Sequence, residues 1–144
     1  MNWLNKNKRS DIIQSPDDMT PLQAVTHLCA CIQLSDGDAD YEERIAWINT
    51  ISTLFPSFSD ERAEKFLNEA HTRINQSSKE DLLLYTKKLL FRIKVVLNED
   101  QLKQLGPKLK DLIEADGIVM SAEMEMARLI ENFLSISINV DKDL

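Results

Sequence analysis

The chain has 144 residues, 43% hydrophobic and 28% charged, a balance that fits one globular domain with a real core and not a disordered segment. With only 3 Gly and 4 Pro it has few turns, which disfavours a β-sandwich and favours long helices. A formal charge of −7 and a pI near 4.8 argue against nucleic acid as the main partner, because phosphate would be repelled, and leave cations or a basic protein surface as compatible ligands.

Residues 1–19 are mostly polar and read as an N-terminal arm. Lys6, Lys8 and Arg9 form a basic cluster, but no apolar stretch follows it, so the segment does not read as a signal peptide. No apolar run reaches the ~20 residues that span a bilayer, so no integral membrane segment is expected. A cytoplasmic location is the default. Ser15-Pro16-Asp17-Asp18 is a turn signal. Thr20-Pro21 starts a helix over about 21–34, with Thr at the N-cap, Pro at the first helical position, and Leu22, Val25, Cys29 and Ile32 on one face.

A second helix carries the stripe Tyr41, Ile45, Ile48, Ser52 and Phe55, widened by Trp47 and Ile51, and Pro56 ends it. Ser59 caps a third, with Ala63, Phe66, Leu67, Ala70 and Ile74 on its inner face. Ser77-Ser78-Lys79-Glu80 has the form of a capping box and opens a fourth helix running to about Leu97. The apolar residues of that helix cover more than one face, which predicts a central place in the bundle. Asn98-Glu99-Asp100-Gln101 caps a fifth, with Gly106-Pro107 expected to kink or break it. The sixth spans about 121–134, and the last residues alternate Ser and Ile before turning acidic. The predicted fold class is all-α, an irregular bundle of about six helices, with an arm at 1–19, a helical domain at 20–135 and a tail at 136–144.

Two stretches carry a hint of site chemistry. Asp36-Gly37 and Asp116-Gly117 each separate two helical patterns, and Glu43 and Glu123 each lie six residues after their Gly. Helix punctuation explains the Gly, and the helix dipole partly explains the Glu. Punctuation remains the first reading, but it explains less well the repeated Asp and the repeated spacing. Carboxylates with no soft ligands suit a hard cation, Ca²⁺ or Mg²⁺, and if the two loops pair, Asp36, Glu43, Asp116 and Glu123 form the candidate ligand set. Asp36, Asp38 and Asp40 begin like an EF-hand, but Tyr41 and Trp47 stand where that pattern needs Gly and Glu, so an EF-hand is rejected.

His27, Cys29 and Cys31 make the only His/Cys cluster. Two ligands on one helix face do not close a zinc site, so buried reduced thiols are the better reading. No nucleophile with a His partner and no Gly-rich phosphate loop stands out, and the chain is expected not to be an enzyme.

With these residues in view, the chain resembles the tellurite-resistance protein B (TerB-like) family. The resemblance rests on Ile113-Glu114-Ala115-Asp116-Gly117-Ile118-Val119-Met120-Ser121-Ala122-Glu123 and its degenerate echo from Leu34-Ser35-Asp36-Gly37 through Glu43, and covers most of residues 20–135. It implies an all-helical binding module with the acidic residues of two loops on one side, a divalent-cation site, and a place in bacterial stress-response or membrane-associated assemblies. The expected function is therefore a non-enzymatic module that binds a protein partner, with a cation ordering its loops. The alternative is a metal-free adaptor, which predicts a contiguous exposed apolar patch. Ranked below both is an enzyme in which a loop Glu acts as acid or base, which needs a deep pocket holding a carboxylate of raised pKa.

Overall fold

A computed structural model describes residues 15–33, 41–57, 60–75, 78–114 and 121–138, with side chains at all of these except 41–45, 60, 75, 79 and 121. The described residues form six α-helices and no strand: α1 (Pro21–Gln33), α2 (Tyr41–Leu54), α3 (Asp60–Asn75), α4 (Lys79–Val96), α5 (Glu99–Glu114) and α6 (Ser121–Leu134), preceded by a 3-10 turn at Pro16–Asp18. The expected all-α bundle is the observed fold.

Local chemistry sets the helix starts. Thr20 Oγ1 accepts from the Gln23 amide at 3.2 Å and Gln23 Oε1 accepts from the Thr20 amide at 3.0 Å, a reciprocal cap around Pro21. Asn98 and Gln101 exchange the same pair of bonds at 2.8 and 3.0 Å. At α4 the capping residue is Ser78, one position later than the sequence suggests, with its hydroxyl accepting from the Asp81 amide at 3.1 Å. Pro56 follows the end of α2 as expected, while the predicted cap Ser59 lies outside the described residues.

The helices alternate in direction. Met19 O accepts from Arg92 Nε at 2.8 Å and His27 Nδ1 meets Tyr85 Oη at 2.7 Å, so α1 and α4 are antiparallel. Thr50 Oγ1, which donates to the Ala46 carbonyl at 2.9 Å, lies 3.4 Å from the Lys108 carbonyl, and Phe55 lines one pocket with Gln101, so α2 and α5 are antiparallel. Thr20 and Arg62 share that pocket, while Gln33 bonds His71 at the other end, so α1 and α3 run the same way. Leu82 and Leu83 share a groove with Ala122 and Met126, and Phe91 meets Phe133, so α4 and α6 also run in parallel.

α1 occupies the centre. It packs against every other helix, and ten of its thirteen residues are buried. This corrects the expectation that α4 would be central. α4 buries Tyr85, Leu89, Leu90, Ile93 and Leu97, but Leu83, Leu84, Phe91 and Val95 stand exposed. The stripe of α2 is also turned from the expected one: Trp47, Thr50, Ile51 and Leu54 are buried and Ser52 is exposed. On α3 the inner face is the predicted one, with Ala63, Leu67, Ala70 and Ile74 buried and Phe66 half-buried.

α5 runs unbroken through Pro107. Lys103 and Pro107 are both exposed, so the carbonyl left without its amide partner can be hydrated. Gly106 is buried, and a Cβ placed there would fall on the backbone carbonyl of Ser137. That segment is held down on both sides of Ser137: Ile136 packs half-buried against the core, Ile138 is buried, and the Ile138 amide donates to Glu131 Oε2 at 2.8 Å. Helix propensity alone favours Gly106→Ala by ~1 kcal/mol. The main-chain collision reverses the sign, and a net loss of about 1–3 kcal/mol is expected in urea denaturation. A gain in stability would mean that residues 135–138 lift away freely.

Candidate functional site

The exposed half of α4 is the unusual surface. Leu84, Phe91 and Val95 are 55%, 65% and 72% exposed, and on a helix they share one stripe with Lys88. Leu83, Lys87 and Lys94 lie beside that stripe on the side toward α6. There Leu82, Leu83, Ala122, Met126 and Leu129 line an open groove of about 530 Å³, with Glu80, Lys87 and Glu125 at its edges. Further along the same two helices Phe91 and Phe133 meet edge to face with centroids 5.3 Å apart, and Lys94 Nζ lies 5.8 Å from the Phe133 centroid. From Leu82 to Val95 this surface is about 20 Å long. Scattered exposed apolar side chains are ordinary, but four on one helix, interleaved with lysines and beside a groove that Leu83 lines, make an amphipathic surface.

Beneath α4 lies a half-buried polar cluster. Tyr85 hydrogen-bonds His27 Nδ1, the Arg73 guanidinium carbon sits 4.7 Å from the centroid of the Tyr85 ring, and Gln33 Oε1 meets His71 Nε2 at 3.1 Å. Burial, aided by the Arg73 charge, lowers the His27 pKa to about 4, which leaves the imidazole neutral. Burial raises the Tyr85 hydroxyl, with the Cys31 thiol adding to the rise and Arg73 opposing it. Cys29 and Cys31 are fully buried. Burial pushes Cys31 up to about 12 against the opposing effect of its hydrogen bond with Thr86, and it raises Cys29 as well, with Cys31 contributing. Neither thiol is activated as a nucleophile or a metal ligand.

Of the four candidate cation ligands, Asp36 and Asp116 lie outside the described residues. Glu43 belongs to the first turn of α2, with its side chain outside them too. Glu123 is described: it sits in the first turn of α6 and is 2% exposed. Among the described residues no three His, Cys, Asp or Glu side chains gather as a metal group. The helix ends do carry information. Because α2 and α5 are antiparallel, with Thr50 level with Lys108 and Phe55 near Gln101, the start of α2 lies level with the end of α5. The ends that flank both Asp-Gly loops therefore sit at one end of the bundle.

No described helix is long and apolar enough to cross a membrane. No family model, curated protein or solved structure matches the chain.

Sequence reasoning registered the wide apolar arc of α4 and assigned it to the interior. The signal that could have separated the two halves is its charge. Lys87, Lys88 and Lys94 all fall on the arc that carries Leu84, Phe91 and Val95, whereas the buried arc holds only Arg92. The His27–Tyr85 pair joins residues 58 apart, and no local pattern announces it.

Proposed function

We propose that the chain is a non-enzymatic helical binding module that docks a protein partner on the α4/α6 face. The observation that carries this reading is the exposure of Leu83, Leu84, Phe91 and Val95 on one helix beside the groove. Ordered apolar side chains held on a rigid helix supply binding area at little entropic cost, and a groove between two parallel helices accepts a third. The TerB-like resemblance supports the same class of function and suggests a bacterial stress-response or membrane-associated assembly as its setting.

The test is the triple variant Leu84→Gln, Phe91→Gln, Val95→Gln. Because these side chains face water, its folding stability is expected to fall by less than about 2 kcal/mol in total, mostly from the lost Phe91–Phe133 contact. Binding of a 16-residue amphipathic helical peptide with Leu anchors and Gln flanks, followed by amide chemical shifts, should map to α4 and α6 of the wild type and vanish in the variant. Unchanged binding, or a collapse of stability, refutes the reading.

A second reading has its own support: the helix ends that flank both Asp-Gly loops share one end of the bundle, which favours a divalent cation between the loops, with Asp36, Glu43, Asp116 and Glu123 as ligands. Ca²⁺ or Mg²⁺ at about 100 times its dissociation constant would add ~2.7 kcal/mol to stability. A cation-specific rise in thermal midpoint that disappears in the Asp36→Asn, Asp116→Asn double variant is the expected result. An equal response in both proteins removes the cation from the account.

A further inference from the structure

The charge around the α4/α6 face says more about its occupant than the apolar residues do. The chain as a whole carries −7, yet from Leu82 to Asn98 it holds no Asp or Glu, while Lys87, Lys88, Arg92 and Lys94 all fall in that stretch. Arg92 is committed to the Met19 carbonyl on the buried side. Lys87, Lys88 and Lys94 point outward among Leu84, Phe91 and Val95, and Lys87 and Lys88 make no ion pair among the described residues. Glu80 and Glu125 sit toward the loop end of the groove, so the basic character is concentrated along the remaining length.

We infer that the α4/α6 face receives an acidic amphipathic helix, whose apolar side chains fill the groove and cover Phe91 while its carboxylates meet Lys87, Lys88 and Lys94. This rests on the docking reading above and names the partner class for the same surface. Three features favour it over other occupants. A second copy related by a two-fold axis through the middle of the stretch would set its own Lys87 and Lys88 against these two, a like-charge contact at the centre of the face. A bilayer is flat, whereas the groove is concave and takes a rod-shaped ligand along its length. A helix matches both the length of about 20 Å, some thirteen residues, and the spacing of apolar sites at 84, 91 and 95. Carboxylates on the partner would speed encounter and set its register, and apolar burial would hold the complex.

The test uses the full chain and two synthetic 16-residue helical peptides with identical Leu anchors, one flanked by Glu and one by Lys. Affinity is read by fluorescence anisotropy and location by amide chemical shifts. The Glu peptide is expected to bind about ten-fold or more tightly than the Lys peptide, to shift residues 82–96 and 122–133, and to weaken with added salt. In the Lys87→Glu, Lys88→Glu, Lys94→Glu variant the preference should invert. These side chains are exposed, so the variant keeps its fold, which circular dichroism checks. If the Lys peptide binds the wild type as well or better at the same residues, the acidic-partner inference is overturned and the docking reading stands. If neither peptide shifts α4 or α6, both fall. Phosphatidylserine vesicles binding the wild type, or a concentration-dependent dimer lost in Phe91→Gln, would overturn the inference by assigning the face to a membrane or to a second copy.

Discussion

Replacing Trp47 with Ala is expected to cost about 3–5 kcal/mol, the largest loss from any single truncation in this fold. Trp47 is the bulkiest of the fully buried side chains and stands on α2, which packs against α1, α3 and α5. Its removal leaves a void that three neighbouring helices would have to close together. In thermal unfolding the midpoint should drop by roughly 10–20 °C for a domain of this size. The contrast with Trp47→Phe makes the test specific. The indole Nε1 is buried and finds no hydrogen-bond partner among the described residues, so Phe removes an unsatisfied donor as well as some volume. The two effects oppose each other, and a change of about 1 kcal/mol or less is expected. A Phe variant as damaged as the Ala variant would mean that the indole N–H has a partner that the wild type depends on.

The second large effect is acid sensitivity carried by His27. Its folded pKa of about 4 lies below the ordinary 6.5, because burial disfavours the imidazolium and the Arg73 charge adds to this. The unfolded chain therefore binds the proton more readily. Stability from this group is complete above pH 6.5, declines as the pH falls through the interval, and is fully lost below about 4. The full difference is worth roughly 3 kcal/mol, and nearer 2 once the partial exposure of His27 is allowed for. His27→Gln keeps a hydrogen-bonding group beside Tyr85 but cannot be protonated. Urea denaturation at pH 7 and pH 4.5 should show a wild-type decline steeper than that of the variant by about this amount. Parallel declines would assign the acid sensitivity to carboxylates.

Most of the helix framework was legible because its signals are local. The Thr20-Pro21 and Asn98–Gln101 caps act within four residues, and the α3 stripe faces a core on one side and water on the other. Pro56 stops α2 for a reason internal to its own ring. What escaped depends on neighbours. Periodicity counts apolar residues on α4 but does not say which arc other helices cover, so exposed and buried leucines looked alike. Ser52 fitted a stripe by spacing, whereas the packing of α2 buried Thr50 and Leu54 beside Trp47 and Ile51. Pro107 looked like a breaker because sequence cannot show that water reaches the position. The Asp-Gly pairs were legible as motifs, but their use depends on a pairing in space that spacing alone does not contain.

The division of α4 into two arcs has a consequence for how such a chain can change over time. Tyr85, Leu89, Leu90, Ile93 and Leu97 answer to the interior and are constrained by its packing. Leu83, Leu84, Lys87, Lys88, Lys94 and Val95 answer mainly to whatever touches the surface. Substitutions there cost the fold little, so the lettering of that arc can drift or be redesigned toward new partners without reopening the folding problem. Phe91 is the exception, since it touches Phe133 as well as solvent, and a change there alters the seam between the two helices along with the surface they present.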